Sequence, residues 1–159
     1  MRHSEGTPRP PILVAGAGRR VLSVGAQHAD TVALLSAPLS GGVLVDSAEA
    51  RSVRNVKEQV DVVRKAAGER IQDLELSVFA TLIVAENRHE AAAQLARQRG
   101  WAATPEDVLE MATVLVGGIE QIVDDLERRR AEYGISYIVV RDGQIADAAQ
   151  VVQRLAGAR

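Results

Sequence analysis

Residues 11–20 read Pro-Ile-Leu-Val-Ala-Gly-Ala-Gly-Arg-Arg, a short continuous apolar run that meets a helical pattern through two glycines. A continuous run, rather than an alternating one, is what a parallel strand buried on both faces shows, and a parallel strand has to be followed by a crossover, usually a helix. The stretch therefore predicts strand, tight turn and helix. Gly16 and Gly18 would permit positive backbone dihedrals and a close approach of ligand to main chain, while the helix behind them aims its free N–H groups and positive dipole end at the turn. That arrangement suits an anion, with Arg19 or Arg20 adding charge. The same spacing also fits a plain tight turn with two solvated arginines. A dinucleotide fingerprint fits poorly, because Val21 stands where a small third residue is needed and no acidic residue ends the next strand.

The rest of the chain repeats this alternation. Val21, Leu22, Val24, Gly25 and Ala29 suit a helix ending near His28, and Thr31 to Leu35 reads as a second buried strand. Ser36 to Asp46, with Pro38, Gly41 and Gly42, reads as a loop at that strand's carboxyl end, where α/β proteins place ligand contacts. Asp46 and Glu49 form an expected capping pair for a helix carrying Val53, Val56, Val60, Val63 and Ala67 on one face and stopping at Gly68. Leu74 to Val84 reads as one long strand. Asn87 and Glu90 open an alanine-rich helix closed by Gly100, and Thr104-Pro105-Glu106-Asp107 opens a short one. Val114 to Gly118 is a brief extended piece before a helix with Ile119, Ile122, Val123 and Leu126 on one face, stopped by Gly134. There the acidic Glu120, Asp124 and Asp125 disfavour a phosphate. Ile135 to Val140 makes a fourth strand and Ile145 to Leu155 a closing helix. Four βα units, with an extra helical segment between the third and fourth, imply a parallel sheet. The expected organisation is a flexible tail over residues 1–10 and a single α/β domain over 11–159.

Composition narrows the function classes. A net charge of -2 gives no electrostatic case for nucleic acid, and no run reaches the ~18 apolar residues of a membrane span. There are no cysteines, which excludes disulfides, thiolate metal sites and a cysteine nucleophile, and suits the cytoplasm. His3, His28 and His89 lie far apart with no partner at metal-ligand spacing, so no metal site is expected. Glu127-Arg128-Arg129-Arg130 reads as solvated surface, and Asp124 and Asp125, being adjacent on a helix, cannot share one site. The glycine turn is left as the candidate site.

Four segments in order carry a resemblance. Arg9 to Leu22 with Ala29-Asp30, the helix end Val62-Val63-Arg64-Lys65-Ala66-Ala67-Gly68, Val114 to Leu126, and Tyr133 to Val140 are together similar to luciferase-like monooxygenase-fold proteins, particularly those using the deazaflavin coenzyme F-420. The chain resembles the carboxyl-terminal half of that family's barrel. The resemblance implies about half of a TIM barrel built of parallel (β/α) units, since a full barrel takes ~250 residues. It also implies an oxidoreductase with coenzyme F-420, or alternatively FMN, its phosphate held at Gly16, Ala17 and Gly18 with Arg19 and Arg20 as neighbours, acting on a small-molecule substrate. No catalytic residue is assigned. The contrasting expectation is a non-catalytic half-barrel that serves as an assembly or binding module. Either way, four of eight strands leave two edges and one inner face without cover, so a homodimer or a complementary half-barrel chain is the expected partner.

Overall fold

The computed structural model describes residues 9–36, 39–40 and 43–157. Residues 1–8 of the expected tail, with His3, and Pro38, Gly41 and Gly42 of the expected loop lie outside the described residues. The first apolar run forms β1 (Leu13–Gly16), followed by α1 (Arg19–His28) and β2 (Thr31–Leu34). The segment after β2 contains a short antiparallel hairpin, β3 (Leu39–Ser40) and β4 (Val43–Leu44), where a loop alone is expected. Next come α2 (Val53–Ala67), β5 (Glu75–Phe79), β6 (Thr81–Val84), α3 (Arg88–Arg99), α4 (Pro105–Glu110), β7 (Val114–Gly117), α5 (Ile119–Tyr133), β8 (Ile135–Val139) and α6 (Ile145–Ala156).

Four strands form one parallel sheet in the order β1-β2-β5-β8. Each new strand joins the edge left by the previous one. A doubly wound sheet reverses direction after its first half, whereas a TIM barrel grows in this single direction, so the sheet is a barrel-type arc. Its helix-facing side carries Val32, Leu34, Leu76, Val78 and Ile135, which pack with Leu22 and Ala26 of α1 and Val56, Val60 and Val63 of α2 in one cluster. Gly25 makes the α1 contact close: a Cβ there would lie 3.1 Å from Val32 Cγ2 and 3.2 Å from Val14 Cβ.

The expected long strand over 74–84 is two strands. Ala80 N–H donates to the Val139 carbonyl at 2.8 Å, and Thr81 N–H donates to the Thr113 carbonyl at 2.8 Å, so the neighbouring strand changes between consecutive residues. The first half belongs to the arc, and β6 pairs in parallel with β7 in a separate two-stranded sheet. The extended piece before α5 is thus a buried strand. One face of this sheet, with Val114 and Val116, packs with Leu95, Trp101, Val108 and Met111; the other, with Leu82 and Leu115, packs with Ile122, Val123 and Val151.

Local chemistry sets the helix ends. Asn87 accepts from Glu90 N–H at 3.1 Å, and Thr104 and Asp107 form a reciprocal box behind Pro105. For α2 the expected cap is displaced. Ser52, not Asp46, accepts from Asn55 N–H at 3.3 Å, because a 3-10 turn over Glu49–Arg51 intervenes. Asp46 instead accepts from Arg51 at 2.5 Å and Arg99 at 3.1 Å, and both guanidinium groups stand over the Trp101 ring, at 5.0 and 5.9 Å.

In the charged run on α5, Glu127 and Arg130 are exposed as expected, but Arg129 is not. Arg129 is only 2% exposed, and its Nη2 donates to the carbonyls of Val114 at 2.7 Å and Met111 at 2.9 Å, tying the end of α4 to the start of β7. Burial pushes its guanidinium pKa down to about 10, partly opposed by Asp125, so it stays charged at neutral pH. Asp125 is buried and accepts from Arg88 at 2.9 Å and Arg128 at 3.0 Å, while Asp124 is exposed, so the two acids do diverge. At the opposite end of the arc, Arg9 makes a bidentate pair with Asp30 at 2.6 Å, and Asp30 also accepts from Ile12 N–H at 2.7 Å.

Arg129→Leu is expected to cost about 3 kcal/mol of unfolding free energy in urea, because it leaves Asp125 short of positive charge and the Met111 and Val114 carbonyls short of a donor. Hydrogen bonds from Arg9 and Ile12 hold the Asp30 carboxyl below its ordinary 3.8. A depressed folded-state value contributes stability above that ordinary pH and loses it as pH falls through the folded value. Asp30→Asn should therefore lower stability at neutral pH and flatten the loss seen on acidification below about pH 4, as read by urea midpoints across pH.

Candidate functional site

The turn between β1 and α1 lies at the carboxyl ends of the arc strands, the rim at which parallel α/β sheets gather ligands. Gly16 and Gly18 serve there for different reasons, and neither adopts the positive φ that the sequence suggests. Gly16 is buried, and a Cβ on it would stand 2.5 Å from Val21 Cγ1, so only glycine lets α1 fold back this tightly over the strand end. Its carbonyl accepts from Leu35 N–H at 2.9 Å, extending the sheet ladder to the rim. Gly18 is exposed in extended geometry at the N-cap of α1, with nothing within 4 Å of its missing Cβ. Gly16 is thus a packing requirement and Gly18 an opening.

The first helical rung is Leu22 N–H to the Gly18 carbonyl at 3.1 Å. The N–H groups of Arg19, Arg20 and Val21 stand ahead of it. No side chain caps this end, and its first turn holds no acid. It differs from every other α-helix of the described residues: α2, α3 and α4 are capped by Ser52, Asn87 and Thr104, and Glu120 and Asp147 stand in the first turns of α5 and α6. The second glycine turn is self-satisfied, since Gly118 N–H donates to Gln121 Oε1 at 3.0 Å and Glu120 holds Arg154 at 2.6 Å. The amino end of α1 is therefore the terminus left for an external anion.

Arg19 and Arg20 are exposed and make no ion pair among the described residues. They line a cleft of about 850 Å³ between α1 and α2, with Lys65 and the acids Glu58 and Asp61 further along it. Ala17, half-buried, reaches the same cleft. Gln59, missed by the sequence reading, is 5% exposed and donates from Nε2 to the Leu35 carbonyl at 2.9 Å and the Ala17 carbonyl at 3.4 Å. It pins the turn to the end of β2. The signal that could reveal it is an amide at helical spacing from Val56 and Val63, on the stripe that the valines bury. Among the described residues no group of three or more metal-ligating side chains occurs, and no helix is long and apolar enough to cross a membrane. His28 is exposed at the end of α1, and His89 lies exposed 3.8 Å from Glu106.

No protein-family model and no curated protein matches the sequence. Solved structures match the fold. DmoA from Hyphomicrobium sulfonivorans superposes with a TM-score of 0.59 at 18% identity, over 94% of this chain and 42% of its own. The riboflavin lyase RcaE, solved with modified FMN and riboflavin, gives 0.58 at 15% identity, over 94% and 43%. The coenzyme F-420 dependent tetrahydromethanopterin reductase from Methanopyrus kandleri gives 0.54 at 12% identity, over 83% and 45%. These are enzymes of the luciferase-like monooxygenase fold, and the chain carries part of that fold, spanning less than half the length of each.

Gly16→Ala is expected to destabilise the chain by about 1–3 kcal/mol through its overlap with Val21, whereas Gly18→Ala stays within about 0.5 kcal/mol. Adding Val21→Ala to Gly16→Ala should restore part of the loss, which a urea double-mutant cycle would read; strict additivity of the two changes would sink the contact argument.

Proposed function

We propose that this chain carries the phosphate-binding side of a luciferase-like oxidoreductase that uses coenzyme F-420, or FMN in its place, and acts on a small-molecule substrate. The observation that carries the reading is the bare amino end of α1, with two arginines free of ion pairs among the described residues, at the carboxyl rim of a barrel-type sheet. One fold neighbour is coenzyme F-420 dependent and another was solved with modified FMN, which supports a deazaflavin or flavin over other phosphate-bearing ligands.

The residues fit such a group. Main-chain N–H groups of Arg19, Arg20 and Val21 would donate to phosphate oxygens, Ala17 and Gly18 would keep side chains out of their way, and the two guanidinium groups would balance the charge. Gly16 and Gln59 act indirectly, by fixing where the turn stands. When bound, the coenzyme supplies the hydride chemistry, and the protein supplies position and electrostatics. A second reading, a half-barrel that binds or assembles without catalysing, is favoured by the exposure of Phe79 and Tyr137 on the sheet face away from the helices.

The test is fluorescence titration of the purified chain with F-420 and, separately, with FMN. One of them is expected to bind. Gly18→Val should weaken that binding at least tenfold, about 1.4 kcal/mol, while the chain still folds, because the space beside Gly18 is open and only the helix N-cap preference is lost. Arg19→Ala with Arg20→Ala should weaken it further at low salt than at high salt. Binding of neither coenzyme by the folded chain would overturn the reading, and full-strength binding by Gly18→Val would move the phosphate elsewhere.

A further inference from the structure

We infer that the ligand of the α1 terminus is a phosphate ester of a polyhydroxy chain, whose hydroxyl groups are read by Asn55, Glu58 and Gln59 on α2. The inference rests on the phosphate reading proposed above and goes past it, naming what the phosphate is joined to and which side chains recognise that part.

Two hollows meet at the glycine turn. The cleft of about 850 Å³ between α1 and α2, and a second hollow of about 340 Å³ on the side of Ser47 and Ala50, share Ala17, Asn55, Glu58 and Gln59 as walls. Asn55, Glu58 and Gln59 fall at i, i+3 and i+4, on one face of α2. Asn55 Nδ2 donates to the Ala50 carbonyl at 2.6 Å, and Gln59 Nε2 to the Leu35 carbonyl at 2.9 Å and the Ala17 carbonyl at 3.4 Å. Both amides thus spend their donor ends on main chain, which turns their oxygens the other way. Neither oxygen accepts a hydrogen bond from the described residues, and neither is sealed from solvent, although Gln59 as a whole is 5% exposed. A buried side chain whose open polar atom is an acceptor calls for a donor. Glu58 and Asp61, both exposed on the same cleft, add carboxylates that no ion pair takes up among the described residues.

The two walls are therefore of opposite kind. On the α1 side stand main-chain N–H groups and the guanidinium groups of Arg19 and Arg20. On the α2 side, beside the turn, stand acceptors: Arg54 is taken up by Glu49, and Lys65 lies farther along the helix. The acids repel a phosphate from α2 and hold it to the α1 terminus. The part of the ligand next to the phosphate has to donate to the acceptor wall while standing close to two arginines, which disfavours a cation and suits neutral hydroxyl groups. Asn55 and Gln59 are separated by ~6 Å along the helix axis, the reach of a short chain with several hydroxyls and more than a single donor can span.

The test is an NMR titration of the isotope-labelled chain, followed at the amides of Arg19, Arg20 and Val21, with ribitol 5-phosphate, ethyl phosphate and 2-aminoethyl phosphate as probes. Ribitol 5-phosphate is expected to bind about tenfold more tightly than ethyl phosphate, which offers the same anion and no hydroxyl. Glu58→Ala with Asp61→Ala touches no hydrogen bond or ion pair of the fold among the described residues. It should tighten ethyl phosphate, by removing like charge, and shrink the polyol advantage at least threefold. Ethyl phosphate binding as well as ribitol 5-phosphate, 2-aminoethyl phosphate binding better than both, or an advantage untouched in the double variant would each overturn the inference and leave the phosphate reading standing. Amides that respond to none of the three probes would overturn the phosphate reading as well.

Discussion

Every strand of the main sheet is laid against the edge left by its predecessor, and each crossover between parallel neighbours has to be right-handed. With no reversal of direction, the crossovers all fall on one side. The helices therefore pack on one face of the arc, the carboxyl ends of the strands collect at one rim, and both the exposure of Leu13, Phe79 and Tyr137 on the other face and the position of the α1 terminus follow. The rest of the molecule fills space that this rule defines. The β6–β7 sheet, clothed by α3 and α4 on one side and by α5 and α6 on the other, lies beyond the rim because β5 runs on past its partner β8.

The features legible in the sequence were those that neighbours along the chain decide. Apolar runs, valine spacing and the Thr104 to Asp107 box are local signals, and they placed β1, α1, β2, α4 and the end of α2 within a residue or two. Features set by distant partners were not legible. Leu74 to Val84 alternates at its start and ends in an apolar run with no break signal between, and what divides it is that Val139 faces one half and Thr113 the other. Arg129 looks like its neighbours in a charged run, and the carbonyls it serves come from 15 to 20 residues away. Ser52 and Asp46 are both good caps, and only the course of the chain through the Glu49–Arg51 turn separates them. At the candidate turn, the sequence suggests a reason for Gly16 that the structure does not bear out. The constraint is a contact with Val21 and not a backbone dihedral. Gln59 went unseen because its partners are main-chain carbonyls, which a sequence does not display.

The scarcity of aromatic rings shapes how the helices sit. Valine, alanine and leucine fill the cluster under α1 and α2, and with Gly25 at the contact α1 comes close to the sheet. Close helix–sheet contact carries the amino end of α1 near the strand ends, where Gln59 can hold the Ala17 and Leu35 carbonyls together. The shape of the rim is thus set by small residues below it, none of which would touch a ligand.

The junction at Ala80 has a mechanical meaning. One uninterrupted segment serves as a strand in two sheets, with no linker between its two assignments. Fraying of either sheet must pull on the other through the main chain at that residue, so the cluster on the arc and those on the two faces of the β6–β7 sheet do not open as separate units. A chain whose helices divide between two sheets would ordinarily be a candidate for stepwise unfolding; sharing this strand couples the pieces into one cooperative body.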